Sequence, residues 1–577
     1  MQFATLPIDL QEGNLGGEKE PAMPSADLII TNARLLTMNT SAMRGQAIAL
    51  TGNKIMAVGS NADILPLKAK HTRMIDAQMN TVMPGVVESH IHLFGGGVEL
   101  SCLMINNFKG IAPVSQAIHE YAKAHPKDDV IIAYGASHVS LGDDVAITRA
   151  ALDKIMPDRP LALYCFDHHT MWANTKALEM AGILQGRDLP PGNEIVMGKD
   201  GLAAGELREP AAYSPVLALT ATGGREMLGL TTGENPVPPA TLAQRAMDQK
   251  FMKQGLDYCA SLGITSIHNM DGNWYQLELL KALQDRNELI ARVEVPFHHK
   301  NYFESSRVDE AVEMRERYQG DMLHSGRVKI FMDGVLESMT ALMLDDYPGF
   351  PGERGAPLFT TEQFNEVATR ADSHGLQISV HAIGDGGVRR TLDGYEAAQK
   401  ANGVRDSRHR IEHIEVIDKA DIPRLKQLGV IASLQPIVGL GVPGSPLEPC
   451  LTRIGDKLPQ SYAWQTLRET GTTIAFSSDW PVSPLDPLLG IQSAMTAVPL
   501  SPASKPQAQS LLDALDGFTA AGAYTEFAEH KKGKLVAGML ADVVMLDGDI
   551  EATAAGEISK LKPLLTICDG RVTFERG

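Results

Sequence analysis

Short hydrophobic runs alternate with longer stretches of helical character through the middle of the chain. Runs rich in β-branched residues predict buried strands, and their alternation with helices is typical of parallel βαβ units. Such runs cover residues 86–93, 264–270, 292–298, 328–334, 378–384, 410–416, 430–436 and 473–479. Because eight strands close a (β/α)8 barrel, the pattern predicts an α/β fold built on a TIM-like barrel.

One gap between predicted strands is much longer than the others. Residues 94–263 separate the first strand from the second and contain further strand-like and helix-like runs. The sequence therefore predicts a large insertion after strand one. Because the carboxyl ends of barrel strands carry the active site, we expect this insertion to form a lid or a substrate wall.

The two ends of the chain show a different pattern. Residues 26–84 and 531–577 contain short alternating segments punctuated by turn residues, which predict antiparallel strands. Neither piece is large enough to build a core alone, so we expect them to form one composite β-sandwich. Residues 85–530 are then the barrel domain, and residues 1–25, a mixture with much Gly, Glu and Pro, are a disordered tail.

Composition narrows the class of protein. The 577 residues are 44% hydrophobic and 21% charged, with a net charge of -18. These values exclude a disordered chain, and no apolar run reaches the roughly 18 residues of a membrane span. The acidic balance, without a basic stripe, excludes a nucleic-acid surface. Five dispersed cysteines without a CxxC pair favour a reducing compartment, so we expect a cytoplasmic protein without nucleic-acid or membrane partners.

Candidate metal ligands follow the predicted strands. His90 and His92 stand two apart in strand one, so both imidazoles project from one face. Four later strands each contain one further ligand-type residue: Lys329, His381, His413 and Asp479. Each alone is explained as a core histidine, a buried ion-paired lysine or a capping aspartate. Together they form a ring suited to two divalent cations.

Lys329 needs a chemical change before it can bind a metal. A protonated lysine is not a ligand, but reaction with CO₂ gives a carbamate, which is an anionic bridge. The alternative is a neutral or ion-paired lysine with a pKa shifted by burial. Asp333 follows Lys329 in the same predicted strand and projects to the same side, so it is predicted to orient Lys329.

The chain resembles the metal-dependent amidohydrolase superfamily, and within it the branch with the N-substituted formamide deformylases (amidohydrolase family 3). The resemblance rests on VMPGVVESHIHL, RVKIFMDGVLESMTALM, HAIGDGGVRRTLDGYE, RHRIEHIEVI, AFSSDWPVSPLDP and GKLVAGMLADVVMLDGD. It implies that His90, His92 and Asp479 bind the more buried metal and that His381 and His413 bind the second. A carbamylated Lys329 is implied as the bridge, with zinc as the expected metal.

The insertion contains candidates for substrate binding. The segments DHHTMWANTKALEMAGI and GELREPA resemble family segments, which puts His169, Asn174 and Glu209 on polar positions; Trp480 follows the metal-binding aspartate. The alternative is that such residues cap helices or face water. In the pairs His168-His169 and His298-His299, at most one residue of each faces a site if the chain is extended.

The predicted activity is hydrolysis of an amide-type C–N bond in a small N-formyl, N-acyl or cyclic amide. A metal-activated hydroxide is the nucleophile, and Asp479 is the catalytic residue that orients it and transfers its proton. One alternative is a mononuclear deaminase acting on a heterocycle, which has no use for Lys329. Another is a non-catalytic barrel scaffold, and a homodimer is also left open.

Overall fold

The computed structural model describes residues 25–166, 168–190, 192–442 and 447–577. The predicted tail therefore lies outside the described residues, apart from Ser25. The segment that follows it contains short strands with one four-residue helix, as the alternating pattern predicts. These are β1 (Ala26–Thr31), β2 (Arg34–Leu36), β3 (Arg44–Gly45), β4 (Ala47–Thr51), β5 (Lys54–Gly59), α1 (Asn61–Ile64), β6 (Lys68–Asp76) and β7 (Thr81–Pro84).

The first predicted barrel strand is β8 (Val86–Ile91), and α2 (Leu93–Glu99) follows it. The inserted segment then builds a sheet of its own, with the strand order β13-β14-β12-β11-β10-β9 among the described residues. Its elements are β9 (Leu103–Met104), α3 (Ile111–Ala124), β10 (Ile131–Ala136), α4 (Arg149–Ile155), β11 (Leu161–Cys165), β12 (Thr170–Ala173), α5 (Thr175–Met180), β13 (Glu194–Met197), β14 (Ala203–Arg208), α6 (Pro210–Leu217), α7 (Leu228–Thr231) and α8 (Leu242–Ser261).

Strands and helices alternate after the insertion. The first elements are β15 (Ile264–Asn269), α9 (Trp274–Asp285), β16 (Arg292–Glu294), β17 (Phe297–His298), α10 (Asp309–Arg317), β18 (Leu323–His324), β19 (Arg327–Phe331), α11 (Thr361–Ser373), β20 (Gln377–Ala382) and α12 (Asp385–Asn402). They are followed by β21 (Arg410–His413), α13 (Ile422–Leu428), β22 (Ile431–Leu434), α14 (Cys450–Ile454), α15 (Trp464–Glu469), β23 (Ile474–Phe476), α16 (Pro487–Thr496), α17 (Leu511–Gly517) and α18 (Ala520–Thr525).

All eight predicted strands form, and neighbours in the chain pair in parallel. The third is divided into β16 and β17 because Pro296 has no N–H to donate; β16 pairs with β18, and β17 with β19. After β23, Asp479 donates its N–H to His90 O at 2.9 Å, and His92 donates its own to Trp480 O at 2.8 Å. The arrangement is consistent with a barrel of the TIM type.

The two ends of the chain meet in one sheet. After the parallel strands and α18 come β24 (Val543–Leu546), β25 (Pro563–Cys568) and β26 (Arg571–Glu575). Within the described ranges, one sheet has the order β26-β25-β24-β7-β2-β3 and a second has the order β5-β4-β1-β6. One buried cluster includes Leu28, Ile48, Val543 and Ile567, so it draws on both ends. No described helix combines the length and apolarity needed to cross a membrane.

A buried ion pair joins the parallel strands to the C-terminal segment. Arg292, at the start of β16, is 2% exposed and donates two hydrogen bonds to Asp542, at 2.8 and 3.0 Å. It also contacts Asp569 at 3.0 Å. Because both carboxylates lie in the C-terminal segment, a single guanidinium fixes it against the barrel strands.

We predict that Arg292→Ala lowers the free energy of unfolding by about 3–5 kcal/mol, because it leaves buried charge without a partner. Urea denaturation of the metal-loaded protein measures the loss. Arg73→Ala is the matched control, because Arg73 also contacts a distant residue, Glu575, at 2.6 Å, but both side chains are half-exposed. We expect this control to change stability by about 1 kcal/mol or less. Equal losses in the two variants would contradict the prediction.

Candidate metal centre

The residues predicted to bind metal converge at the carboxyl ends of the parallel strands. His90 lies on β8, Lys329 on β19, His381 on β20 and His413 at the end of β21. His92 and Asp479 lie just beyond their strands. All six are buried: none is more than 9% exposed. Strand ends of a parallel sheet meet at one edge, so residues far apart in sequence share one site.

Asp479 is in direct contact with the strand-one histidines. Its Oδ1 lies 3.2 Å from Nε2 of His90 and 3.3 Å from Nε2 of His92. Burial alone would raise the pKa of the Asp479 carboxyl, but the charge and hydrogen bonds of these histidines hold it well below its usual range. The carboxylate is therefore ionised, and ionised carboxylate with imidazole nitrogen is a donor set suited to a divalent metal.

Two further carboxylates orient these imidazoles. Nδ1 of His90 lies 2.8 Å from Glu412, and Nδ1 of His92 lies 3.2 Å from Asp271. A carboxylate accepts the Nδ1 hydrogen, which leaves the Nε2 lone pair directed at the place where a metal would bind. The sequence alone assigned this role to neither Asp271 nor Glu412. The signal for Glu412 was a charged residue inside the apolar run RIEHIEV, directly before a candidate ligand.

The remaining histidines complete a contiguous group of rings. His413 contacts His90 at 5.1 Å and His381 at 4.5 Å between ring centroids. Burial lowers the pKa of His413 to about 3 and that of His381 well below its usual range, so both are neutral and can bind a metal. Nε2 of His381 donates to Gly334 O at 3.1 Å, which leaves Nδ1 for a metal.

Lys329 is fully buried, and its Nζ has no hydrogen-bond partner among the described residues. It lies 4.8 Å from the ring centroid of Phe331, and that ring stacks on His381. Burial lowers the pKa of the Lys329 ammonium to about 8, although Glu412 and Asp479 act in the opposite direction. An amine with no hydrogen-bond partner beside this donor set fits a metal centre better than a structural ion pair.

Asp333 plays a different part from the one predicted. Its carboxylate accepts hydrogen bonds from the backbone N–H groups of Leu342, Ile383 and Gly384 at 2.9–3.1 Å. It therefore holds the loop after β19 against the loop that follows His381, and it does not hydrogen-bond to Lys329.

Two of the predicted substrate contacts, Asn174 and Trp480, have partners within the chain. All four hydrogen-bonding positions of the Asn174 amide are used: Oδ1 accepts from Leu161 and Ala177, and Nδ2 donates to Met156 and Arg159. Asn174 thus caps α5 and has no capacity left for a substrate. Trp480 packs against Gly96 of α2, where an added Cβ would lie 2.4 Å from the indole, and against Tyr258 of α8.

The expectation for the 168–169 pair depends on an extended chain, and the chain is not extended there. His168 has φ +60°, and this left-handed residue breaks the alternation of an extended chain. Burial and the charge of His92 lower the pKa of His168 to about 3, and the charge of His169 helps to lower that of His381. Nδ1 of His169 contacts Glu209 at 2.9 Å, so two of the predicted substrate contacts pair with each other.

Comparison with known proteins identifies the family of this chain. Residues 73–574 match the sequence model described as "Amidohydrolase family". The putative amidohydrolase YtcJ of Bacillus subtilis (strain 168) is 28% identical over 94% of this chain and 98% of its own length. The N-substituted formamide deformylase of Arthrobacter pascens is 23% identical over 95% of this chain and 98% of its own. An uncharacterized metal-dependent hydrolase from Pyrococcus horikoshii OT3 superposes with a TM-score of 0.71, covering 92% of this chain and 99% of its own at 23% identity.

We predict that Asp271→Asn weakens binding of a divalent metal by about 10–100-fold, because the carboxylate that fixes His92 is lost. Chelator competition with metal analysis measures the affinity. Asp372→Asn is the matched control: Asp372 makes the same 3.2 Å contact with His409, outside the metal centre. An unchanged affinity in Asp271→Asn, or the same loss in both variants, would contradict the prediction.

Proposed function

This chain belongs to the amidohydrolase family and is a metal-dependent hydrolase, and we propose that it cleaves the C–N bond of an amide. The substrates we propose are N-formyl, N-acyl or cyclic amides of low molecular weight. The name of the Arthrobacter pascens relative supports the N-formyl class. The observation that carries the proposal is the contact of Asp479 Oδ1 with Nε2 of both His90 and His92.

The proposed centre holds two divalent ions, with zinc as the expected metal. His90, His92 and Asp479 would bind the first ion, and their ligand atoms lie within 4.8 Å of one another. His381 and His413 would bind the second. Imidazole nitrogen and an ionised carboxylate are donors that zinc prefers.

Lys329 is proposed to bridge the ions as a carbamate. Its amine nitrogen attacks CO₂, a C–N bond forms, and the nitrogen loses a proton to give the anion. A pKa of about 8 leaves part of the lysine as free amine near neutral pH. The buried Nζ without a hydrogen-bond partner supports this proposal, because a carbamate can coordinate metal there.

A bound divalent ion would lower the pKa of its water and polarise the substrate carbonyl. Asp479, held by two histidines, is proposed to orient the attacking water, accept its proton and deliver that proton to the leaving nitrogen. His169 and Glu209 are proposed to contact the substrate as a hydrogen-bonded pair. Their position in the insertion, near His381, supports this role.

The proposal also covers the domain organisation of the chain. We propose that the parallel strands form a closed (β/α)8 barrel within residues 85–530 and that residues 94–263 form its lid. The terminal segments, 26–84 and 531–577, would form one sandwich domain. The shared sheet order β24-β7 and the shared buried cluster support that pairing.

We predict that native mass spectrometry detects one CO₂ adduct and that metal analysis finds two ions per chain. A signal from ¹³C-bicarbonate in ¹³C NMR identifies the carbamate. Lys329→Met should lose the adduct, whereas Lys300→Met should keep it, because Lys300 also lies beside Phe331 but donates to Leu230 O. One metal without an adduct would instead favour the mononuclear deaminase.

We predict that Asp479→Asn lowers kcat on an amide substrate by about 100-fold or more at saturating metal, because proton transfer is lost. Steady-state kinetics with measured metal content provides the test. Asp486→Asn is the control: Asp486 caps α16, and asparagine caps a helix equally well. Full activity of metal-loaded Asp479→Asn would overturn the assignment of the base.

A further inference from the structure

His298 lies beside the proposed metal centre but belongs to none of its ligand sets. It ends β17, is fully buried and is the Cα partner of Lys329 across the parallel ladder. Its ring stacks on Phe331 at 5.4 Å, and Phe331 in turn stacks on His381 at 4.6 Å. Paired residues of a ladder project to the same side, so His298 faces the interior with Lys329.

The two ring nitrogens of His298 have different surroundings. Nδ1 lies 2.8 Å from the backbone oxygen of Gly229, in the insertion. A carbonyl only accepts, so Nδ1 is the nitrogen that holds hydrogen. Nε2 has no hydrogen-bond partner among the described residues. In the neutral ring it is a buried acceptor, and such a group is costly unless something donates to it.

The ring of His298 is buried between the Gly229 carbonyl and the Phe331 ring, and the hydrogen bond from Nδ1 fixes its orientation. A neutral ring with hydrogen on Nδ1 cannot donate from Nε2, so it cannot stabilise a developing oxyanion. It can only accept a hydrogen bond, and the donor that a secondary amide offers is its N–H.

The neighbouring histidine gives a contrast. His299 is also fully buried, but it lies among the rings of Phe297, Phe303 and Phe359. Neither of its ring nitrogens is fixed by a hydrogen bond to a described residue. His298 differs because one nitrogen is fixed and the other is thereby set to accept.

We propose that Nε2 of His298 accepts a hydrogen bond from the N–H of the amide being cleaved, which makes the enzyme selective for secondary amides and N–H-bearing cyclic amides over esters. This inference rests on the proposed amide hydrolysis. His298 is then a specificity-determining residue rather than a metal ligand. Since the Gly229 carbonyl sets its tautomer, the insertion contributes to that selectivity without touching the bound molecule.

The test compares N-butylformamide with butyl formate, which differ only in N–H against O. In His298→Leu we expect kcat/KM for the amide to fall about tenfold more than that for the ester, the effect of one lost hydrogen bond. His298→Gln, whose side-chain oxygen can accept near the Nε2 position, should recover part of the amide preference. His299→Leu is the control and should leave the amide-to-ester ratio unchanged.

Metal content and melting temperature of each variant complete the experiment. We expect two ions in every variant, since His298 is not a ligand. Equal losses on amide and ester, or loss of metal from the His298 variants, would overturn the inference and leave the proposed function intact. If metal-loaded wild-type protein cleaves the ester but no amide, the proposed function fails, and this inference fails with it. If His298→Leu does not fold, the amide-to-ester ratio of kcat/KM in His298→Gln decides. A ratio below that of His299→Leu supports the role of His298, and a ratio equal to that of His299→Leu overturns it.

Discussion

The central constraint on this structure is that the charges buried among the parallel strands must be paired. Arg410, at the start of β21, is fully buried and contacts Glu412 at 2.9 Å. Glu412 in turn contacts Nδ1 of His90.

Arg410 also joins a second set of buried groups. It contacts Nδ1 of His268 at 3.0 Å, and Nε2 of His268 lies 3.1 Å from Glu526. A buried charge that loses its partner is costly, so each group fixes the next. The resulting chain of contacts is Lys532, Glu526, His268, Arg410, Glu412, His90 and Asp479.

This chain of contacts explains how His90 is oriented without a metal. Glu412 contacts its Nδ1, and Glu412 is itself held by Arg410, which also donates to Ser89 O and Ser433. Hydrogen bonds between buried groups strengthen one another and favour one arrangement of the side chains. The backbone contributes as well: His413 and Asp479 have φ of +75° and +63°, sparsely populated for residues other than glycine. Such conformations persist at functional sites because the surroundings hold them.

The sequence predicted the strands and the proposed ligands because both depend on local pattern. A polar residue of ligand type inside an apolar run stands out, as His381 does in ISVHAIG. Contacts set by tertiary packing left no such signal. Helix capping by Asn174 could be weighed from the sequence, but its contacts with Leu161, Met156 and Arg159 could not. The packing of the Trp480 indole on Gly96 left no local signal either. The left-handed His168 was also missed, because the rule of alternation applies only to an extended chain.

The structure separates the groups that would bind metal from those that would choose a substrate. The proposed ligands belong to the parallel strands or to the residues just after them. The buried charged groups among these strands hold His90 in place. Residues of the insertion contact the neighbourhood of the proposed metal centre. Gly229 O contacts His298, Leu230 O accepts from Lys300, and the charge of His92 helps to lower the pKa of His168, which burial lowers most. Changes in the insertion can therefore alter which hydrogen bonds a substrate meets while the ligand geometry stays intact. Under the proposed function, the strands would supply the metal ligands and His298, and the insertion would adjust what a substrate meets by fixing His298 through Gly229 O.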